Sequence, residues 1–242
     1  SMGDFAGARS VLDEAMTAAD VTGNQRVKAS SQLIGMFVRL YSGEQQNDWS
    51  GETLRKTHEL IPILERESAH NELATGCRLI VLVHGMAGRY TLANEAVERS
   101  IFHARLAGNE RLLARNGLIL SMNGLFGPTP VREAIEDCER FLAEGLSDRQ
   151  VEGCMLCMLA QLKAMEGKLE EARSLYRRGR RLLRELGQGV SAASTGIDLA
   201  RVELLGGDLA LAEREVRSDY DFLAKMGETY FLSTMAALLS RI

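Results

Sequence analysis

Two cysteines, Cys154 and Cys157, are separated by two residues, a spacing found in zinc sites and in redox-active dithiols. A structural zinc site needs four ligands, and no second cysteine pair or histidine pair lies nearby in the sequence. A thioredoxin-like dithiol follows a strand in a βαβ unit, and no such unit is indicated here. The cysteines instead occupy adjacent turns on one face of a predicted helix. We expect them to pack or to line a groove, with metal or redox chemistry as the alternative.

The other residues capable of catalysis form no recognisable catalytic or metal-binding pattern. The four histidines show no metal-ligand spacing; they are His58, His70, His84 and His103. The glycine-rich phosphate loop, the nucleophile elbow of serine hydrolases and the zinc-protease helix motif do not occur in the sequence. Carboxylates are frequent but scattered over predicted solvent faces. We therefore predict that the chain is not an enzyme, with no catalytic residue, no metal ion and no cofactor.

Six arginines form the densest basic run of the chain. They are Arg173, Arg177, Arg178, Arg180, Arg181 and Arg184. Most lie on the helix side opposite the apolar residues, and acidic residues are interleaved with them, only some at spacings that allow pairing. We interpret this run as a solvated outer face. A docking patch for an acidic protein surface or a nucleic acid is the alternative.

The elements that position these side chains follow from a recurring phrase, glycine–x–aromatic or leucine–x–x–alanine. Clean copies begin at Gly3, Gly88, Gly167 and Gly207, and a longer, degenerate copy runs from Gly127 to Ala134. The alanines Ala93, Ala134, Ala172 and Ala212 are separated by 41, 38 and 40 residues. A period in this range is typical of stacked helical hairpins.

Each part of the phrase has a physical reason. The glycine ends one helix in a left-handed conformation that a side chain would resist. The aromatic residue or leucine is expected to pack into the turn between the two helices of the hairpin. The alanine is expected where the two helices cross, because a larger side chain would push their axes apart.

The apolar periodicity predicts an all-α chain with helices of about 15 to 19 residues. Ser50 is expected to cap one helix, with Trp49 and Leu54 forming a hydrophobic staple. Thr129 is expected to cap another, with Pro130 at its first position. One helix is predicted to run without a break over residues 190–205. The whole chain, residues 1–242, is interpreted as a single helical repeat domain of about five hairpins.

Composition limits the partners and the setting. The net charge of −4 and the isoelectric point near 5.7 predict no nucleic-acid partner and no attraction to an anionic membrane. Four cysteines inside helical patterns favour a reducing cytoplasm over a disulfide framework. Ser1 and Met2 are interpreted as a cloning remnant. Because the sequence starts at a repeat glycine and stops in an apolar helix, we expect it to be a fragment of a longer protein. An exposed apolar edge of such a fragment could also lead two copies of the chain to form a dimer.

The sequence resembles known proteins in five stretches. Residues 167–176 and 207–215 are similar to tetratricopeptide repeats. Residues 126–135, 202–208 and 221–239 resemble the C-terminal repeat region of bacterial multidomain signalling ATPases of the adenylate/guanylate cyclase-like or transcriptional-regulator group. This resemblance implies a right-handed α-α superhelix that binds a protein or peptide, including other domains of the same chain.

In tetratricopeptide proteins the first helix of each hairpin turns one stripe of residues into a concave groove. Counting back 13, 10, 6 and 2 residues from each repeat glycine gives that stripe. Its members are Thr75, Arg78, Leu82, Met86, Cys154, Cys157, Gln161, Met165, Ser194, Ile197, Arg201 and Leu205. The stripe is apolar and flexible with two arginines, which suits a helix or an extended peptide. Packing of much of it against neighbouring helices is the alternative.

We therefore expect a non-catalytic protein-interaction or regulatory region of a bacterial signalling protein. A free-standing adaptor that bridges two proteins is one alternative. A sensor arm whose groove encloses a small ligand is another.

Overall fold

The computed structural model describes residues 5–42, 48–145, 148–228 and 230–242. These residues are almost entirely helical and contain no strand, which confirms the all-α prediction. The repeat glycine Gly3 lies outside the described residues. The helices are α1 (Phe5–Thr22), α2 (Gln25–Tyr41), α3 (Trp49–Arg66), α4 (His70–Met86), α5 (Tyr90–Leu106), α6 (Glu110–Phe126), α7 (Val131–Ala143), α8 (Arg149–Met165), α9 (Leu169–Glu185), α10 (Gly189–Ser194), α11 (Gly196–Gly206), α12 (Leu209–Lys225) and α13 (Tyr230–Leu239).

The number of helices is larger than five hairpins require. Within the described ranges there are thirteen helical segments, against the ten helices of five hairpins. One reason is that the helix predicted over residues 190–205 is interrupted at Thr195, which separates α10 from α11. The prediction of a continuous helix there is wrong.

The packing divides the chain into two compact units, Ser1–Asn116 and Gly117–Ile242. In the first unit α4 packs against α3 and α5. In the second unit the closest pair is α8 and α9, while α11 contacts α8, α9 and α12. The C-terminal half of α6 packs against α7. At this contact Gly124 lies against Ala134, and Gly117 lies against the Phe141 ring.

The turns between helices are set by glycines in the left-handed conformation. Gly167, Gly187, Gly207 and Gly227 all have positive φ angles, between 70° and 80°, and follow one another at intervals of twenty residues. Repeat glycines Gly88 and Gly207 thus adopt the predicted conformation, which costs glycine little and other residues more.

The repeat alanines lie in the core as predicted. Ala93, Ala172 and Ala212 are fully buried, and Ala134 is almost so. In the last copy of the phrase the predicted packing of the leucine into the turn is not seen. Leu209 is 51% exposed and does not fill the turn of its hairpin. In α8 and α9 the helices approach still more closely at two glycines, Gly153 and Gly179.

Two predicted helix starts are wrong by a residue or two. Asp48, not Ser50, is the N-cap of α3, and its carboxylate accepts a hydrogen bond from the backbone N–H of Gly51. Trp49 is then the first helical residue and is buried. Pro130 is the N-cap of α7, so Thr129 lies outside the helix.

Within the described ranges, no helix is both long and apolar enough to cross a membrane.

Candidate functional site

A cavity of about 500 Å³ opens in the second unit between α6, α8, α11 and α13. Five residues of the predicted stripe line it, namely Gln161, Met165, Ile197, Arg201 and Leu205. Seven further residues complete the lining: Leu125, Phe126, Leu204, Thr234, Ala237, Leu238 and Arg241. We call these twelve residues the unit-two groove.

Helical spacing explains why the stripe residues meet. Gln161 and Met165 are four residues apart on α8, and Ile197, Arg201 and Leu205 are four apart on α11. Residues at this spacing lie on the same face of a helix, and α8 packs against α11. The two faces therefore form adjoining walls of one cavity.

A polar network crosses the floor of the groove. The amide nitrogen of Gln161 donates to the Asp198 carboxylate at 2.6 Å, and its oxygen accepts from the Arg201 guanidinium at 3.3 Å. The Arg201 guanidinium also lies over the Phe126 ring, 5.0 Å from its centroid. Arg201 is thereby held in one orientation, with its charge beside an aromatic face that stabilises it.

Burial controls the charge of this network. It raises the pKa of the Asp198 carboxyl group to about 7, and nearby Arg201 partly opposes the shift. A carboxyl group with a pKa near neutrality changes charge over a physiological pH range. We therefore expect the charge of Asp198, which contacts Gln161 of the groove, to depend on pH.

The walls of the groove are apolar and accessible. Leu205 and Met165 are each about half exposed, and Phe126 is similarly accessible. Accessible leucine, methionine and aromatic side chains grouped around a cavity favour the binding of a ligand that has an apolar surface. Arg201 and Arg241 supply positive charge at the same place.

Three stripe residues on α8 and α10 do not line this groove. Cys157 is fully buried in a core cluster with Ala172 and Tyr176, which agrees with packing, the first of the two roles expected for the cysteine pair. Cys154 is partly buried on the same helix. The Ser194 hydroxyl donates to the carbonyl of Ser191, at the end of α10.

The four remaining stripe residues, Thr75, Arg78, Leu82 and Met86, lie on α4 in the first unit. Thr75 donates its hydroxyl proton to the carbonyl of Asn71, within the helix. The Arg78 guanidinium lies 5.7 Å from the centroid of the Phe37 ring. Leu82 is partly buried, and Met86 is exposed.

The cysteine pair has the properties of packed thiols. Burial raises the pKa of Cys154 to about 11 and that of Cys157 well above its ordinary value. A thiol that stays protonated is a poor nucleophile and a poor metal ligand. In the part of the chain that the structure describes, no cluster of three or more ligating side chains that could hold a metal ion occurs.

Sequence reasoning missed the α6 and α13 walls of the groove. The insertion after Gly127 prevents counting back to α6, and no repeat glycine follows α13 in the sequence. The apolar face of α13 was a usable signal. Ala237 and Leu238 of α13, with Arg241 just after the helix, complete the cavity.

The arginine run on α9 is only partly a solvated face. Arg173 forms an ion pair with Glu203, which is almost fully buried. Arg180 is itself buried and pairs with Asp219 of α12. Arg177, Arg178, Arg181 and Arg184 are exposed, as predicted.

No protein-family model matches the chain, and no curated protein matches it significantly.

Proposed function

We propose that the chain is a non-catalytic binding module, a tetratricopeptide-like α-α superhelix that holds a peptide segment of a partner protein. The observation that carries this proposal is the unit-two groove, in which α8 and α11 bring five of the twelve predicted stripe residues into one cavity. The stripe was derived from the repeat register and the tetratricopeptide resemblance, before any cavity was known, so the meeting of five members in one cavity supports a binding role for that face.

The chemistry of the groove defines the peptide. Met165, Leu205 and Leu238 offer an apolar surface that adapts to side chains of different shape. Arg201 and Arg241 favour a carboxylate close to the apolar anchors. We therefore propose an amphipathic segment, helical or extended, with two or more apolar side chains and at least one acidic residue.

The biological setting of the proposal follows from the sequence resemblance. We propose a regulatory region of a bacterial signalling ATPase, whose partner is another protein or another domain of the same chain. A cytoplasmic location is part of this proposal, and it is supported by the four cysteines, which are all free thiols.

The test is selection of ligands from a displayed library of random peptides by the purified chain. We expect the selected peptides to share apolar residues and an acidic residue. Replacing Met165→Glu and Leu205→Glu together should weaken their binding by about tenfold or more, because charge enters the apolar wall and opposes the acidic ligand.

Leu186→Glu and Leu209→Glu together form the matched control, since both leucines are about half exposed and neither lines the groove. The control should bind the selected peptides as the parent chain does. Equal loss in both variants would contradict the proposal. Selection of no peptide, combined with stabilisation by a neutral small molecule, would favour the sensor-arm alternative, for which a cavity of this volume is also suitable.

A further inference from the structure

A second cavity, of about 530 Å³, lies between α9, α11 and α12 and takes no part in the unit-two groove. Five arginines of α9 line it: Arg173, Arg177, Arg180, Arg181 and Arg184. Tyr176, Leu199 and Leu211 contribute an apolar surface. We call this the α9 cavity.

Two of the five arginines are fixed by acidic partners from the neighbouring helices. The Arg173 guanidinium donates to both oxygens of Glu203 on α11. Arg180 donates to Asp219 on α12 and, at 2.6 Å, to the Tyr176 hydroxyl. These pairs neutralise charge at the base of the cavity and hold the base rigid, because breaking a buried pair is costly.

Arg180 retains an unused donor at this base. The side chain is 91% buried, and its Nε–H is buried without a hydrogen-bond acceptor among the described residues. An unsatisfied donor on a buried guanidinium is unfavourable unless a ligand or water accepts from it. Its partner Asp219 likewise has a buried oxygen, Oδ2, without a donor among the described residues, so the pair keeps one unused donor and one unused acceptor.

Two of the remaining arginines have no ion-pair partner among the described residues. Arg177 and Arg181 are exposed and form no ion pair with any described residue. They are four residues apart on α9, and Arg184 follows three residues later, so like charges lie on one face of the helix. Like charges at this spacing destabilise a helix slightly. A bound anion would relieve that repulsion.

We propose that the α9 cavity binds a small organic phosphate monoester. A phosphate group carries nearly two negative charges and three terminal oxygens, and it can therefore engage several guanidinium groups at once. A carboxylate has only two oxygens, which one arginine satisfies. The apolar part of the ligand would lie against Tyr176, Leu199 and Leu211.

The acidic residues around the cavity argue against a nucleic acid. Glu185, Glu203 and Glu215 also line it. An extended polyanion would bring several phosphates close to these carboxylates, whereas a monoester brings only one. The arginines thus favour an isolated phosphate group.

Phenyl phosphate is a suitable probe, with benzoate and phenol as comparisons. Binding to the full chain would be measured by ligand-observed NMR titration. For a probe of this size we expect a Kd on the order of 1 mM for phenyl phosphate. Benzoate should bind more weakly than phenyl phosphate, and phenol should not bind.

Arg177→Gln and Arg181→Gln together should weaken phenyl phosphate binding by about tenfold or more. The matched control is Arg178→Gln with Arg217→Gln, which removes the same charge from two exposed arginines whose ion-pair partners also lie outside the cavity. Equal weakening in both double variants would overturn the proposal, since it would show only general electrostatic attraction. Failure of phenyl phosphate to bind, or equal binding of benzoate, would also overturn it. Both double variants change exposed residues, and circular dichroism would verify their folding.

The α9 cavity and the unit-two groove share no lining residue. The phosphate proposal therefore does not depend on the peptide proposal. Failure of one test leaves the other result standing.

Discussion

Asp198 lies one turn before Arg201 on α11, and burial raises the pKa of its carboxyl group to about 7. In an unfolded chain an aspartate has a pKa of about 3.9. Between these values the folded protein binds a proton that the unfolded chain does not. The contribution of Asp198 to stability therefore rises as the pH falls from about 7 to about 4, and the charged carboxylate is unfavourable above pH 7.

Asp198→Asn removes this charge and keeps an oxygen that can accept the hydrogen bond from Gln161. We expect the variant to have a Tm at least about 3 °C above that of the parent chain at pH 8, and no such advantage at pH 4. Thermal unfolding followed by circular dichroism at both pH values is the measurement. Asp221→Asn, at an exposed position of α12, is the control. An equal Tm difference at both pH values would show that the carboxylate of Asp198 is not the cause.

Single residues show what a sequence pattern leaves undetermined. Cys157 has the helical register of a groove residue, but the close approach of α8 and α9 buries it. Arg173 and Arg180 appear in the sequence as part of a polar face. Their partners, Glu203 and Asp219, are 30 and 39 residues away, and only the packing of α9 against α11 and α12 reveals them.

The α8–α9 hairpin depends on two glycines that the repeat phrase does not contain. A Cβ atom on Gly179 would lie 2.5 Å from the carbonyl oxygen of Gly153 and 2.9 Å from the Cys157 sulfur. Backbone and buried sulfur cannot move aside easily. The two helices are therefore closer here than alanine would allow.

Gly179→Ala should destabilise the chain by about 1–3 kcal/mol, because the added methyl group forces the helices apart. Gly85→Ala is the matched control: Gly85 also lies inside a helix, α4, and a Cβ there meets no atom within 4 Å. That variant should be more stable by about 0.5–1 kcal/mol, from helix propensity alone. Urea unfolding of both variants gives the comparison. Stabilisation by both substitutions would contradict the close crossing.

At the level of elements, the repeat phrase predicted most of what depends on local chemistry. Gly167 and Gly207 end their helices in the left-handed conformation, and Ala172 and Ala212 are buried. The break at Thr195 was not predictable from apolar periodicity, since α10 and α11 continue the same pattern. Helix starts at Asp48 and Pro130 were missed by one or two residues because several capping residues stand side by side.

For the molecule as a whole, the sequence predicted one face of the unit-two groove and missed the other. Register counting located Gln161 and Met165 on α8 and Arg201 and Leu205 on α11. The α6 and α13 walls could not be registered, because a long turn follows α6 and no repeat glycine follows α13. The division of the packing into two units also has no signal in the repeat period.

The second unit contains its own cores and both cavities, which predicts that it folds by itself. Clusters around Ile135, Cys157 and Ala200 lie wholly within residues 117–242. A compact unit with its own hydrophobic core can in principle fold alone. A fragment of residues 109–242, which keeps α6 intact, should therefore remain helical and unfold cooperatively.

This fragment should also bind phenyl phosphate with the affinity of the full chain, because all residues of the α9 cavity are retained. Its Tm should be lower, since Leu112 and Ala114 lose the cover of the first unit. Circular dichroism melting and NMR titration are the measurements.

A fragment of residues 148–242 is the informative comparison. It lacks α7, which leaves Leu159 and Leu162 without Ile135 and Cys138, and it should be less stable than the longer fragment. Loss of the cooperative transition in the 109–242 fragment would show that the second unit depends on the first for its folding.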